Sequence, residues 1–172
     1  MTRYPLCAAV IAVALSGATP ALAQAQATQP MTSKALLLKP LTLTKLADLD
    51  FGTIVPSGSG DLVTINADTG ARTSPSAGLV TSDPGQRARF ASSGLNNTFV
   101  VLQISAPTDL TDGAGNRLTV TRLDLDQGGN PLRTLTPASQ VFFLGIGGQV
   151  FVRSNQQDGV YSGSFTLTAN YL

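Results

Sequence analysis

The sequence predicts an all-β sandwich, and three observations carry the prediction. Short runs rich in β-branched, aromatic and leucine residues recur with period-2 alternation. Clusters of Gly, Pro, Asn and Asp separate them at short intervals. No convincing amphipathic-helix period follows the first 23 residues. Eight to ten such strands favour two packed sheets over a barrel or an α/β fold.

The chain opens on an export pattern. Arg3 supplies a positive start, Leu6-Cys-Ala-Ala-Val-Ile-Ala-Val-Ala-Leu15 is apolar, and Ala21-Leu-Ala23 has small residues at the spacing of a cleavage site. A signal segment over 1–23 is expected; its apolar run is short for a membrane span. Cys7 stands too early to be a lipid-bearing cysteine. Its removal leaves a chain that holds its fold without disulfides, although exported compartments permit them. The remaining 24–172 suits one domain with a sizeable core and balances ten Lys and Arg against ten Asp. With no basic cluster, nucleic acid is not an expected partner. No later segment is long and apolar enough to span a membrane.

Residues 24–39 read as a polar N-terminal extension with weak alternation, and 40–172 as the sandwich domain. Leu41-Thr-Leu-Thr-Lys-Leu46 is the first clear strand, followed by a strand over 48–55 with a bend at Gly52. Residues 61–66 form another, then a loop with a short strand at 71–73, then the turn Ser82-Asp-Pro-Gly85. Residues 86–91 alternate. Thr98-Phe-Val-Val-Leu-Gln-Ile-Ser105 is the most continuous apolar run of the domain and suits a central strand. Residues 118–126 alternate with a less clean register. Residues 141–146 and 149–153 read as two strands hairpinned at Gly147-Gly148. The chain ends in Gly159-Val-Tyr-Ser-Gly-Ser-Phe-Thr-Leu-Thr-Ala-Asn-Tyr-Leu172. Tyr161, Phe165, Leu167, Ala169 and Tyr171 fall on one face of this stretch, and hydroxyl side chains dominate the other.

Residue inventory disfavours an enzyme. There is no His, and no Cys survives cleavage, so Ser-His-Asp and Cys-His nucleophiles and imidazole or thiolate metal sites are excluded. Lys34, Lys39 and Lys45 lack the Ser-x-x-Lys spacing. No cofactor is expected. Calcium is the one metal to weigh: Asp109, Asp112 and Asn116, and then Asp124 and Asp126, collect oxygen donors beside glycines. Neither group completes an acidic calcium loop, and Asx turns explain both.

The C-terminal stretch resembles the last strand of chaperone–usher pilus subunits, with Tyr171 penultimate and Gly159 fourteenth from the end. The wider chain resembles an uncharacterised bacterial family of exported pilin-like domains. Leu41-Thr-Leu-Thr-Lys-Leu-Ala-Asp-Leu-Asp-Phe-Gly-Thr-Ile54, Gly147-Gly-Gln-Val-Phe-Val152 and Gly159-Val-Tyr-Ser-Gly carry that likeness. The resemblance implies an immunoglobulin-like sandwich that lacks its last strand. It also implies a periplasmic chaperone and an outer-membrane usher as partners, and assembly with other pilus subunits or itself by β-augmentation. On that reading Gly159, Tyr161, Phe165, Leu167, Ala169 and Tyr171 mark the assembly edge, and Met31, Ala35 and Leu37 the donor strand. The product is a surface fimbrial subunit, exported through the periplasm to the cell surface. The alternative is a self-complete, non-catalytic exported module that binds glycan or Ca²⁺ at the loops 109–116 and 124–130.

Overall fold

Alternating apolar residues become two sheets and a small ribbon. The computed structural model describes Thr32, residues 34–137 and residues 140–172. The signal segment expected over 1–23, Met31 and most of the extension lie outside the described residues. Leu37–Leu172 form one compact unit. All the strands among the described residues belong to the Leu37–Leu172 unit.

They are β1 (Thr42–Ala47), β2 (Ile54–Val55), β3 (Asp61–Ile65), β4 (Arg72–Thr73), β5 (Gly78–Leu79) and β6 (Ala88–Ser93). They continue with β7 (Thr98–Ser105), β8 (Asp109–Thr111), β9 (Arg117–Leu125), β10 (Leu132–Leu135), β11 (Val141–Val152) and β12 (Thr166–Tyr171). All pairings are antiparallel. The large sheet is built around β11. Ile146 pairs with both Ala88 of β6 and Leu125 of β9, and Gly148 with both Ile65 of β3 and Leu123 of β9. A strand has two flanks, so β6 and β3 follow one another along one flank while β9 takes the other. β1 extends the sheet beyond β6, β4 beyond β3, and β8 beyond β9. The small sheet has the order β10-β7-β12, and β2 pairs with β5. The fold is all-β and sandwich-like, as expected.

The core follows from the alternation. Val100 and Leu102 of β7 are 0% and 2% exposed and pack with Ala88, Phe90, Leu125, Leu135, Leu144 and Ile146 from the facing sheet and from β10. A second cluster gathers Val63, Leu118, Val150 and Val152. β7 has the bounds the apolar run predicted.

Four expectations need correction. The hairpin at Gly147-Gly148 does not form; β11 crosses both glycines as one strand of 12 residues. Its alternation never slips: Leu144, Ile146, Val150 and Val152 are all inward. The glycines serve close approach instead. A Cβ on Gly147 would lie 2.2 Å from the Ile65 carbonyl oxygen, and one on Gly145 would lie 2.4 Å from that of Ala67. The second correction concerns 48–55, where only Ile54–Val55 is strand and Gly52 bends at a φ of 63°. Thirdly, the terminal strand spans Thr166–Tyr171 rather than 159–172. Before it, Ser162 makes only an isolated bridge to Thr111.

The fourth is a strand the sequence hid. β10 carries Arg133 at a core-facing position beside Leu135, and the arginine is 4% exposed. It is tolerated because its guanidinium donates to an Asp126 carboxylate oxygen and to the Leu132 carbonyl. The other Asp126 carboxylate oxygen accepts from the Gly145 backbone N–H at 2.8 Å, so the ion pair ties β10 to β11. The unclean register of 118–126 also has a cause. Gln149 pairs with Arg122 but Val150 with Val120, so Thr121 is an extra residue, a β-bulge. Leu118 and Val120 therefore point inward before it, and Leu123 and Leu125 after it.

Candidate functional site

Both sheets end in a strand with one neighbour. β1 pairs with β6 alone and β12 with β7 alone. Leu43 of β1 and Leu167, Ala169 and Tyr171 of β12 pack on one core cluster, yet no pairing joins the two strands. On β7, an interior strand, Val100 and Leu102 are buried and Ile104 is half-buried; on β12 Leu167, Ala169 and Tyr171 are all only half-buried. β1 shows the same with Leu43. An inward face stays half-open when the strand that would cover its flank is absent.

A groove of about 750 Å³ opens at the Leu167 end of this seam. One wall is the segment after β1, with Leu49 and Phe51. The other is 156–165, ending in Phe165, and Leu110, Val120 and Leu123 line it from β8 and β9. Leu49, Leu123 and Phe165 belong to the first core cluster, and Phe51, Leu110 and Val120 to the second. The groove is the seam between them, an apolar surface left open to solvent. Phe165 is fixed there by an edge-to-face contact with Phe90, centroids 6.3 Å apart.

Tyr171 closes the opposite end. Its Oη donates to the Lys39 carbonyl at 2.8 Å and accepts from the Leu95 backbone N–H at 2.7 Å. The penultimate tyrosine thus pins the chain just before β1 to the turn after β6. Gly94 is needed beneath it, since a Cβ there would lie 2.3 Å from the tyrosine oxygen.

The other expected edge residues divide. Gly159 and Tyr161 line the groove but lie outside β12. Tyr161 packs on the second cluster, and its Oη donates to the Gln157 carbonyl at 2.6 Å. Of the expected donor residues, Ala35 and Leu37 are exposed and in no strand. Leu49, Phe51 and Leu110 were not anticipated; nothing in a local pattern says that segments so far apart converge.

At the weighed calcium loops the acidic oxygens have partners within the chain. Asp112 accepts from the side-chain amide of Asn116 and from the backbone N–H groups of Ala114 and Asn116. The Asn116 amide is the main reason its carboxyl is held below the usual range. Asp109 pairs with Arg117 at 3.2 Å, Asp124 with Arg122 at 3.0 Å, and Asp126 with Arg133. Asp61, 8% exposed, is held far below the usual carboxylate range, first by the Ser74 hydroxyl and then by the backbone N–H groups of Ser76, Ala77 and Leu62. Among the described residues, no group of three or more acidic, His or Cys side chains could hold a metal. No helix there is long and apolar enough to cross a membrane.

Residues 41–171 match the model of a domain of unknown function, DUF4402. The chain belongs to the DUF4402 family. No curated protein and no solved structure matches it. The DUF4402 domain thus begins at β1 and ends with β12, the two strands that bound the seam.

Proposed function

We propose that this DUF4402 protein is an exported structural subunit of a bacterial surface fimbria, assembled by β-strand complementation at the seam between β1 and β12. The observation that carries the reading is the open flank of β12: one strand neighbour and half-buried core-facing residues. A strand added there would satisfy the unpaired N–H and C=O groups of the edge and cover Leu167, Ala169 and the groove below them. The role requires no catalysis and no cofactor.

A periplasmic chaperone would hold the open seam during export, an outer-membrane usher would pass the subunit on, and a neighbouring subunit would fill the seam in the fibre. The test is deletion of residues 24–38, leaving the signal segment and the domain intact. Negative-stain microscopy of material sheared from cells is expected to lose filaments carrying this chain. Filaments of unchanged number and length would sink the reading.

A further inference from the structure

The small sheet has two outer flanks, one on β12 and one on β10, and the chain treats them differently. In an antiparallel ladder the N–H and C=O of one residue point to the same side, and successive residues alternate sides. On β12, Leu172 donates its N–H to the Phe99 carbonyl at 3.0 Å. By alternation Asn170, Thr168 and Thr166 also turn to β7, while Leu167, Ala169 and Tyr171 turn their backbone groups to the open flank.

The β10 flank is filled by the chain itself. The Pro131 carbonyl accepts from the Leu102 N–H at 2.9 Å, and the Leu135 carbonyl from the Asn97 N–H at 2.6 Å. Pro131, Arg133 and Leu135 therefore turn to β7, and Leu132 and Thr134 turn outward. Both outward groups of Leu132 are taken. Its N–H donates to Asn130 Oδ1 at 2.9 Å, and its carbonyl accepts from Arg133 Nη1 at 2.9 Å. The same Nη1 donates to the Asn130 carbonyl, and Nη2 to the Asp126 carboxylate. Thr134 is left as the one outward residue of β10, too little for a ladder. Packing alone does not call for an arginine at 133. The side chain is core-facing, and its Nε is buried with no hydrogen-bond partner. A leucine or methionine would fill the position without an ion pair. What only arginine supplies is a fork that bends back onto two carbonyls of its own edge while holding a carboxylate.

We propose that Arg133 and Asn130 close the β10 edge against pairing with a second copy of this chain, so that β12 is the one flank of the small sheet open to a strand. The closing of β10 stands apart from the strand-complementation reading; the use of β12 by a partner rests on it. The edge needs closing because its surroundings are apolar. Leu132 and Phe99 lie on the outer face of neighbouring strands and are 44% and 56% exposed. An exposed apolar edge with free ladder groups pairs with its like. Two freed β10 edges would pair antiparallel about a two-fold axis, which closes a dimer and does not propagate.

The experiment opens the edge in the full chain. One variant combines Arg133→Met, Asp126→Asn and Asn130→Ala; the asparagine at 126 keeps an acceptor for the Gly145 N–H. The milder variant is Asn130→Ala alone, at an exposed position, which frees only the Leu132 N–H. Circular dichroism and thermal unfolding check that each variant folds, and sedimentation velocity over a concentration series reads self-association. The triple variant is expected to dimerise roughly tenfold or more tightly than the wild type. Asn130→Ala is expected to shift in the same direction by less. Adding Thr134→Pro removes the last outward N–H of β10 and is expected to return each variant to wild-type behaviour. A folded triple variant that associates as the wild type does overturns the proposal, and so does association that Thr134→Pro leaves unchanged. If the triple variant does not fold, Asn130→Ala decides. Faster exchange of its Leu132 amide shows the edge freed, and unchanged association then overturns the proposal. A wild-type chain that stays monomeric beside a dimeric variant supports the closed edge and counts only against complementation at β12.

Discussion

Replacing Tyr171 by Phe isolates what the penultimate hydroxyl does. The ring stays, so its packing on the first core cluster is retained. Two hydrogen bonds go. The Leu95 N–H, part-buried, loses its partner at 2.7 Å, and the Lys39 carbonyl, exposed, turns to water. A part-buried donor left without a partner costs about 1 to 1.5 kcal/mol, and an exposed acceptor about 0.5, giving roughly 1.5 to 2 kcal/mol in all. In a domain of this size 1 kcal/mol moves Tm by about 3–5 °C, so a fall of about 5–8 °C is expected. Thermal and urea unfolding of the full chain measure it. A Tm within about 1 °C of wild type would refute the reasoning. The same seat can be tested from the other side. A Cβ at Gly94 collides with the tyrosine oxygen at 2.3 Å, while the next atoms, on Leu135 and Leu41, are 3.0 Å away. Gly94→Ala should therefore cost less in the Tyr171→Phe background than alone, with a coupling of about 1 kcal/mol or more. Additive costs would show that the hydroxyl and Gly94 do not share one site.

Gly147→Ala is expected to destabilise by about 2–3 kcal/mol or more, because the Ile65 oxygen at 2.2 Å and the Ala67 nitrogen at 2.5 Å are backbone and cannot yield without disturbing β3. Gly58→Ala, with nothing within 4 Å, is the control and should change the urea midpoint little. The pH dependence follows from Asp61. Its folded pKa lies below its unfolded value, so its contribution is present above about pH 4 and is lost as pH falls further. With no histidine in the chain, stability should stay nearly flat between about pH 5 and 8. Asp61→Asn should be less stable than wild type at pH 7 and decline less steeply in acid; parallel acid profiles in urea titrations would count against this account.

The sequence by itself determined the class of fold, because alternation and turn chemistry are local. The run 98–105 announced a central strand since its inward residues are aliphatic and its ends are polar. The terminal stretch announced Leu167, Ala169 and Tyr171 as one face for the same reason. Local patterns failed where a distant element changed their meaning. Gly147-Gly148 looked like a turn, but glycine marks close backbone approach as well as reversal, and only the segment 65–67 lying over β11 decides between them. Arg133 broke the pattern of β10 because its compensation, Asp126, lies in another element. The bulge at Thr121 shifted the phase of β9 to meet a register set by β11. Tertiary structure alone decided that the two edge strands bound one core unpaired and that the groove forms where the two core clusters meet. The physical reason is that alternation specifies which side of a strand is apolar, whereas the neighbour on each flank depends on where the rest of the chain goes.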